Sequence, residues 1–169
     1  MAPVPDGNDP ILASGLALAA LLRKGYSLDP WHGPATADLL GDVSFAAAAA
    51  RPLANGHSIW EIVLHMTAWQ REVARRLGSA EPQLPKDGDW PAPPMPSQDA
   101  WDSARAELGT SLEQLAAAVS ALSDEDLREP VGSARDRALG VGVTRAEMVA
   151  GVLQHNAYHS GQIALLLKA

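Results

Sequence analysis

The sequence predicts an all-α protein, a helical bundle interrupted by long Pro/Gly-rich loops. Three observations predict it. Ala and Leu dominate a chain that is 47% hydrophobic but only 5% aromatic, and β-branched residues are few; this bias favours helix over sheet. Apolar residues recur at three- and four-residue spacing over long stretches, the period of a helix with one buried face. Two capping boxes, Ser58-x-x-Glu61 and Thr144-x-x-Glu147, mark helix starts. At 169 residues the chain reads as one domain, 1–169, large enough to bury a full core.

Met1 to Pro10 has three prolines, a Gly and two Asp, and reads as an extended lead-in. A first helix follows over about Ile11 to Lys24, with Gly25 as its stop. Its apolar residues run nearly all round, which predicts cover from the other helices. Ile11 to Leu22 is too short to span a bilayer. Acidic residues precede it and Arg23 and Lys24 follow, the reverse of a signal peptide. The expectation is a cytoplasmic protein without membrane contact. Tyr26 to Pro34 is a loop; there Trp31 and His32 read either as a tucked indole with a surface histidine or as a rim over a site. Ala35 to Asp42 and Ser44 to Ala50 are short helical pieces.

The second long helix spans 58–77. Ile62, His65, Met66, Trp69, Val73 and Arg76 share its buried stripe, while Arg71, Glu72 and Arg75 read as its polar side. Ser79 to Pro96 holds six prolines, Gly88 and Trp90, a long irregular connection with Trp90 as an anchor. The third long helix, 97–122, buries Trp101, Ala104, Leu108, Leu112, Leu115, Val119 and Leu122. Ser123 caps a short turn. Glu129 to Val143, rich in Gly, reads as a second long loop. The last helix, 145–168, carries His155 and His159. Gly151 and Gly161 lie inside it at a cost of up to about 1 kcal/mol each relative to Ala, which predicts close approach of a backbone or a ligand.

The formal charge of −7 argues against a nucleic-acid surface, which needs a clustered basic face. There is no Cys, so disulfides, thiolate ligands and a cysteine nucleophile are excluded. His155 and His159, four apart on a helix, sit on one face with Cβ atoms about 5–6 Å apart, a spacing that suits two ligands of one metal ion. His65 is a third candidate. Alone, it reads equally as a hydrogen-bonded core histidine. Three protein ligands with one open position is the pattern of a catalytic zinc site. The pair is not His-Glu-x-x-His, because Asn156 stands at the second position. Such a metal would activate water or an external thiol. Glu61 and Gln162 are candidate hydrogen-bond partners for the ligands, with Glu61 also explained as a cap. Trp69 reads as core or pocket wall.

His57-Ser58-Ile59-Trp60-Glu61-Ile62-Val63-Leu64-His65 with Trp69, and His155-x-x-x-His159-Ser160-Gly161-Gln162-Ile163, together resemble the DinB-like/YfiT-like family. Trp31-His32-Gly33-Pro34 resembles one branch of it. The resemblance implies a four-helix bundle, often a homodimer, that holds a divalent metal, zinc or nickel, on His65, His155 and His159. It also implies a small-molecule substrate and, in better-understood members, transfer of a low-molecular-weight thiol. Other members are proposed as metal-dependent hydrolases, and many have no assigned activity. A non-catalytic bundle is the third reading. It predicts a fourth protein ligand, with His32 or His57 as candidates, although His57 lies two turns from His65 and suits a capping or surface role.

Overall fold

The computed structural model describes residues 14–136 and 139–169. In chain order run α1 (Gly15–Ser27), α2 (Thr36–Leu40), α3 (Phe45–Ala49), α4 (Ile59–Leu77), α5 (Gln98–Ser120), α6 (Asp124–Arg128), β1 (Pro130–Asp136), β2 (Val141–Thr144) and α7 (Arg145–Leu166). The four long helices form the bundle: α5 packs between α1 and α4, and α7 lies against both α4 and α1. Side-chain caps explain where they start. Ser58 and Thr144 each accept from the amide three residues on, while Glu61 and Glu147 reach back to the cap amide.

The core falls into two clusters. One joins α1, α5, α7 and the strands through Leu22, Leu115, Val119, Val141 and Val149. The other gathers α3, α4, α5 and the end of α7 around Trp60 and Trp101, both fully buried. Trp101 Nε1 donates to the Val43 carbonyl at 2.6 Å, so its polar end is not stranded. A buried hydroxyl pair, Thr36 and Ser160 at 2.7 Å, ties α2 to α7.

Several expectations are corrected. α1 begins at Gly15 behind Ser14, whose Oγ accepts from the Ala17 amide; Ile11 to Ala13 lie outside the described residues. Gly25 does not stop it. The helix continues to Ser27, because the Leu28 amide still reaches the Lys24 carbonyl. Nor is α1 covered all round: Leu16 and Leu21 are 71% and 48% exposed. The second Gly-rich loop is a hairpin, with Pro130 opposite Thr144 and Val131 opposite Val143. Its register shifts before Asp136 meets Val141. Gly142 permits this. Its φ is +74°, and a Cβ there would come within 2.4 Å of the Arg135 Cα. Among the described residues, no helix is long and apolar enough to cross a membrane.

Candidate metal centre

α4 and α7 are neighbours, so the stripe carrying His65 faces the stripe carrying His155 and His159. The rings meet with centroids 4.9 Å (His65–His155), 4.7 Å (His65–His159) and 4.4 Å (His155–His159) apart. One nitrogen from each ring lies within 4.8 Å of the other two. Among the described residues, this group consists of these three histidines. His65 and His159 are buried, and His155 is half-buried. The three residues expected as ligands are therefore brought together.

Hydrogen bonding assigns the tautomers. His65 Nδ1 lies 2.6 Å from the Asp89 carbonyl oxygen, which only accepts, so this nitrogen carries the proton and Nε2 presents a lone pair. His159 Nδ1 likewise donates to Gln162 Oε1 at 2.6 Å. His65 Nε2 and His155 Nε2 are 2.9 Å apart. With His65 Nε2 an acceptor, that contact makes His155 the donor and leaves its Nδ1 bare. His155 Nδ1 and Asn156 Oδ1 are indeed both buried without a hydrogen-bond partner. A cation on the Nε2 atoms would move the proton to His155 Nδ1, beside a side chain that already favours the protonated ring. The residues present thus fit a metal, because it would answer an orphaned buried pair.

The electrostatics agree. Burial lowers the pKa of all three rings, to about 4 for His155 and His159. For His155 the neighbouring histidines add to the effect; for His65 and His159, the hydrogen bonds to Asp89 and Gln162 oppose it. All three are neutral at pH 7, the state a metal requires.

The Pro-rich segment between α4 and α5 supplies the cover. Trp90 is sandwiched between His57 and His65, with ring centroids 3.5 Å and 3.9 Å away and interplanar angles of 3° and 9°. Asp89 Oδ1 accepts from Trp69 Nε1 at 2.7 Å. The segment is held at its base by a buried ion pair. Arg76 Nε donates to Glu72 Oε1 at 2.7 Å, Nη1 to the Leu139 carbonyl and Nη2 to the Gln83 carbonyl, both at 2.6 Å. Glu72, expected on the polar side, is therefore buried.

Other expectations resolve here. Glu61 is the cap, bound also to Arg51, and does not hold His65. Trp69 is pocket wall. His57 is the outer plate of the Trp90 stack rather than a fourth ligand. Trp31 and His32 line a different cavity; Trp31 is fully exposed, neither tucked nor over the histidines. Gly151 and Gly161 meet no close neighbour, since a Cβ on either would have open space; Gly151 lines the cleft. Asp89 was missed. It meets His65 Nδ1 through its backbone carbonyl at 2.6 Å, which leaves no mark in sequence, and through its carboxylate at 3.4 Å; in that segment only Trp90 beside it stands out.

The histidines open on a cleft of about 600 Å³. Val73, Val143, Met148, Val152 and Tyr158 give it apolar walls. Its charged side chains are already engaged: Arg76 as above, Glu147 by Thr144 and Asp89 by Trp69.

A family profile described as the DinB superfamily matches residues 31–163, more than half of the chain. No curated protein and no solved structure matches it.

Proposed function

We propose, from the premise that this chain belongs to the DinB superfamily, that it is a divalent-metal-dependent enzyme transferring a low-molecular-weight thiol to a small, electrophilic, largely apolar substrate. His65, His155 and His159 hold the metal. One observation carries the reading: three imidazoles converge beside an apolar cleft, with no fourth ligand grouped with them among the described residues. Three nitrogen donors suit zinc or nickel, and a catalytic site keeps a position open. When bound, the cation would supply the Lewis acidity that ionises a thiol.

The chain's residues supply the rest. The Asp89 carbonyl and Gln162 hold two rings in the ligating tautomer. Trp90 shields His65 from water. Val73, Val143, Met148 and Val152 seat an apolar electrophile. The thiol comes from outside, since the chain has no Cys. A thiol suits this site better than water. Asp89 and Glu147, the carboxylates lining the cleft, are both occupied by hydrogen bonds, and a thiol is acidic enough to need no such base. A hydrolase on the same histidines is the competing reading, and it requires no added thiol.

Elemental mass spectrometry of tag-free protein is the first test. About one tightly held divalent ion per chain is expected, lost in His65→Ala and His155→Ala with helical content retained. Turnover of activated alkenes or aryl halides should then need an added cysteinyl thiol and vanish in both variants. Unchanged turnover in His155→Ala overturns the reading, and full turnover without thiol shifts it to hydrolysis.

A further inference from the structure

A second cavity, of about 370 Å³, opens between α1, α4, α5 and α7. It shares no lining residue with the histidine cleft. Its walls include Leu153 and Ala157, on the face of α7 turned away from His155. The size falls within the roughly 300–1,000 Å³ of small-molecule sites. Leu22, Met66 and Leu112 complete its largely apolar lining.

Two observations separate it from a packing flaw. Gln70 lines it, is 1% exposed, and is only half satisfied. Ser111 Oγ, which also lies 2.9 Å from the Leu108 carbonyl, gives its one hydrogen along the shorter contact, 2.6 Å to Gln70 Oε1, while Nε2 has no partner. A buried donor left unpaired costs about 1–3 kcal/mol, a cost that a ligand's acceptor would remove. Secondly, Trp31 is 100% exposed and lines the same cavity. The loop that carries it is anchored by the buried Thr36–Ser160 bond, so an indole is held in water beside an apolar void.

We infer that this cavity binds a neutral, mostly apolar small molecule bearing a carbonyl oxygen, such as a ketone, ester or amide. The oxygen accepts from Gln70 Nε2, and the apolar body runs out towards Trp31. A charged head does not fit at the buried end beside Gln70, because the one ordinarily charged side chain of the lining, Lys24, is exposed and leaves a charge there without a partner. The inference is independent of the metal and of the proposed reaction.

Carbon-13 labelling of the methionine methyls tests it on the full chain. Met66 lines this cavity and Met148 the histidine cleft, so two signals tell the sites apart. The probes are 2-octanone and octane, which differ in the acceptor. A saturable shift of the Met66 methyl is expected, with Met148 unmoved. In Gln70→Leu the affinity of 2-octanone relative to octane should fall about tenfold. In Ala157→Phe, which fills the cavity from its wall, the Met66 response should disappear while metal content stays. No saturable response, a response at Met148 instead, an unchanged relative affinity in Gln70→Leu, or a surviving response in Ala157→Phe each overturns it. Should Gln70→Leu fail to fold, the wall variant still decides.

Discussion

Two histidines of the site, His65 and His159, are defined by what their outer nitrogen touches. His159 leans on a side chain, Gln162 Oε1 at 2.6 Å. His65 leans on a backbone carbonyl, that of Asp89, which no substitution at residue 89 removes. Partners of this kind typically carry about 10–100-fold of metal affinity. Gln162→Leu should therefore weaken zinc binding by that order, measured by competition with a chromophoric chelator, with the circular dichroism of the helices unchanged. The two neighbours in the loop should differ. Trp90→Ala removes the plate between His57 and His65 and frees the carbonyl beside it, so its loss should approach that of Gln162→Leu. Asp89→Ala deletes the bond from Trp69 and the carboxylate 3.4 Å from His65 Nδ1 but leaves the carbonyl in place, and should cost less. Equal losses in these two variants would show that the carboxylate positions the loop as strongly as the stacked ring does.

At the scale of elements, α4, α5 and α7 are legible because each combines a side-chain cap with a buried stripe. Ser58 and Thr144 placed two starts to within a residue. The His155/His159 pair was legible because i, i+4 geometry needs no tertiary knowledge. The rest needed contacts that local pattern does not encode. Glu72 looks like a surface residue until Arg76 is seen to bury with it, and the strands around Gly142 look like loop because glycine carries no β preference. No backbone presses on either helical glycine, and of the two only Gly151 borders the cleft that a ligand would enter. This makes a paired prediction. Gly151→Ala and Gly161→Ala should each stabilise α7 by up to about 1 kcal/mol, read as a raised midpoint in urea. Gly161 is exposed and away from the cleft, so activity should be unaffected there. Gly151 lines the cleft, so its methyl should raise KM for bulky substrates while leaving metal content intact. Destabilisation by Gly151→Ala would mean that the space beside it is filled in solution.

Across the whole molecule, one buried ion pair joins what the bundle alone cannot hold together. Arg76 is 2% exposed and its guanidinium is shared between Glu72, Gln83 and Leu139. It therefore pins both long connections, one bearing Asp89 and Trp90 and the other bordering the cleft at Leu139 and Gly140, to the helix that carries His65. Removing one partner of such a pair typically costs about 3–5 kcal/mol, because the other charge stays buried. Glu72→Gln should show a loss of that order and a weakened metal site together. A double replacement, Glu72→Leu with Arg76→Met, should regain much of the stability but not the metal affinity, since the two carbonyls lose their donor. The pH dependence follows from the sign of the Glu72 shift. Burial alone would raise its carboxyl, but hydrogen bonds from Arg75, Arg76 and the Gln83 amide outweigh it and hold the group below its ordinary value of 4.5. The unfolded chain then takes up the proton first as pH falls. The stability that Glu72 contributes is thus complete above about pH 4.5, and it drains away as pH drops through the lowered folded value. Thermal midpoints of wild type and Glu72→Gln should differ by a constant amount from pH 7 to 5 and converge below that range. Taking the difference cancels the neutral histidines, which titrate in both proteins. A gap that instead widened on acidification would mean that the carboxylate is not the charged partner of Arg76, and the account of how the loops are held would fail with it.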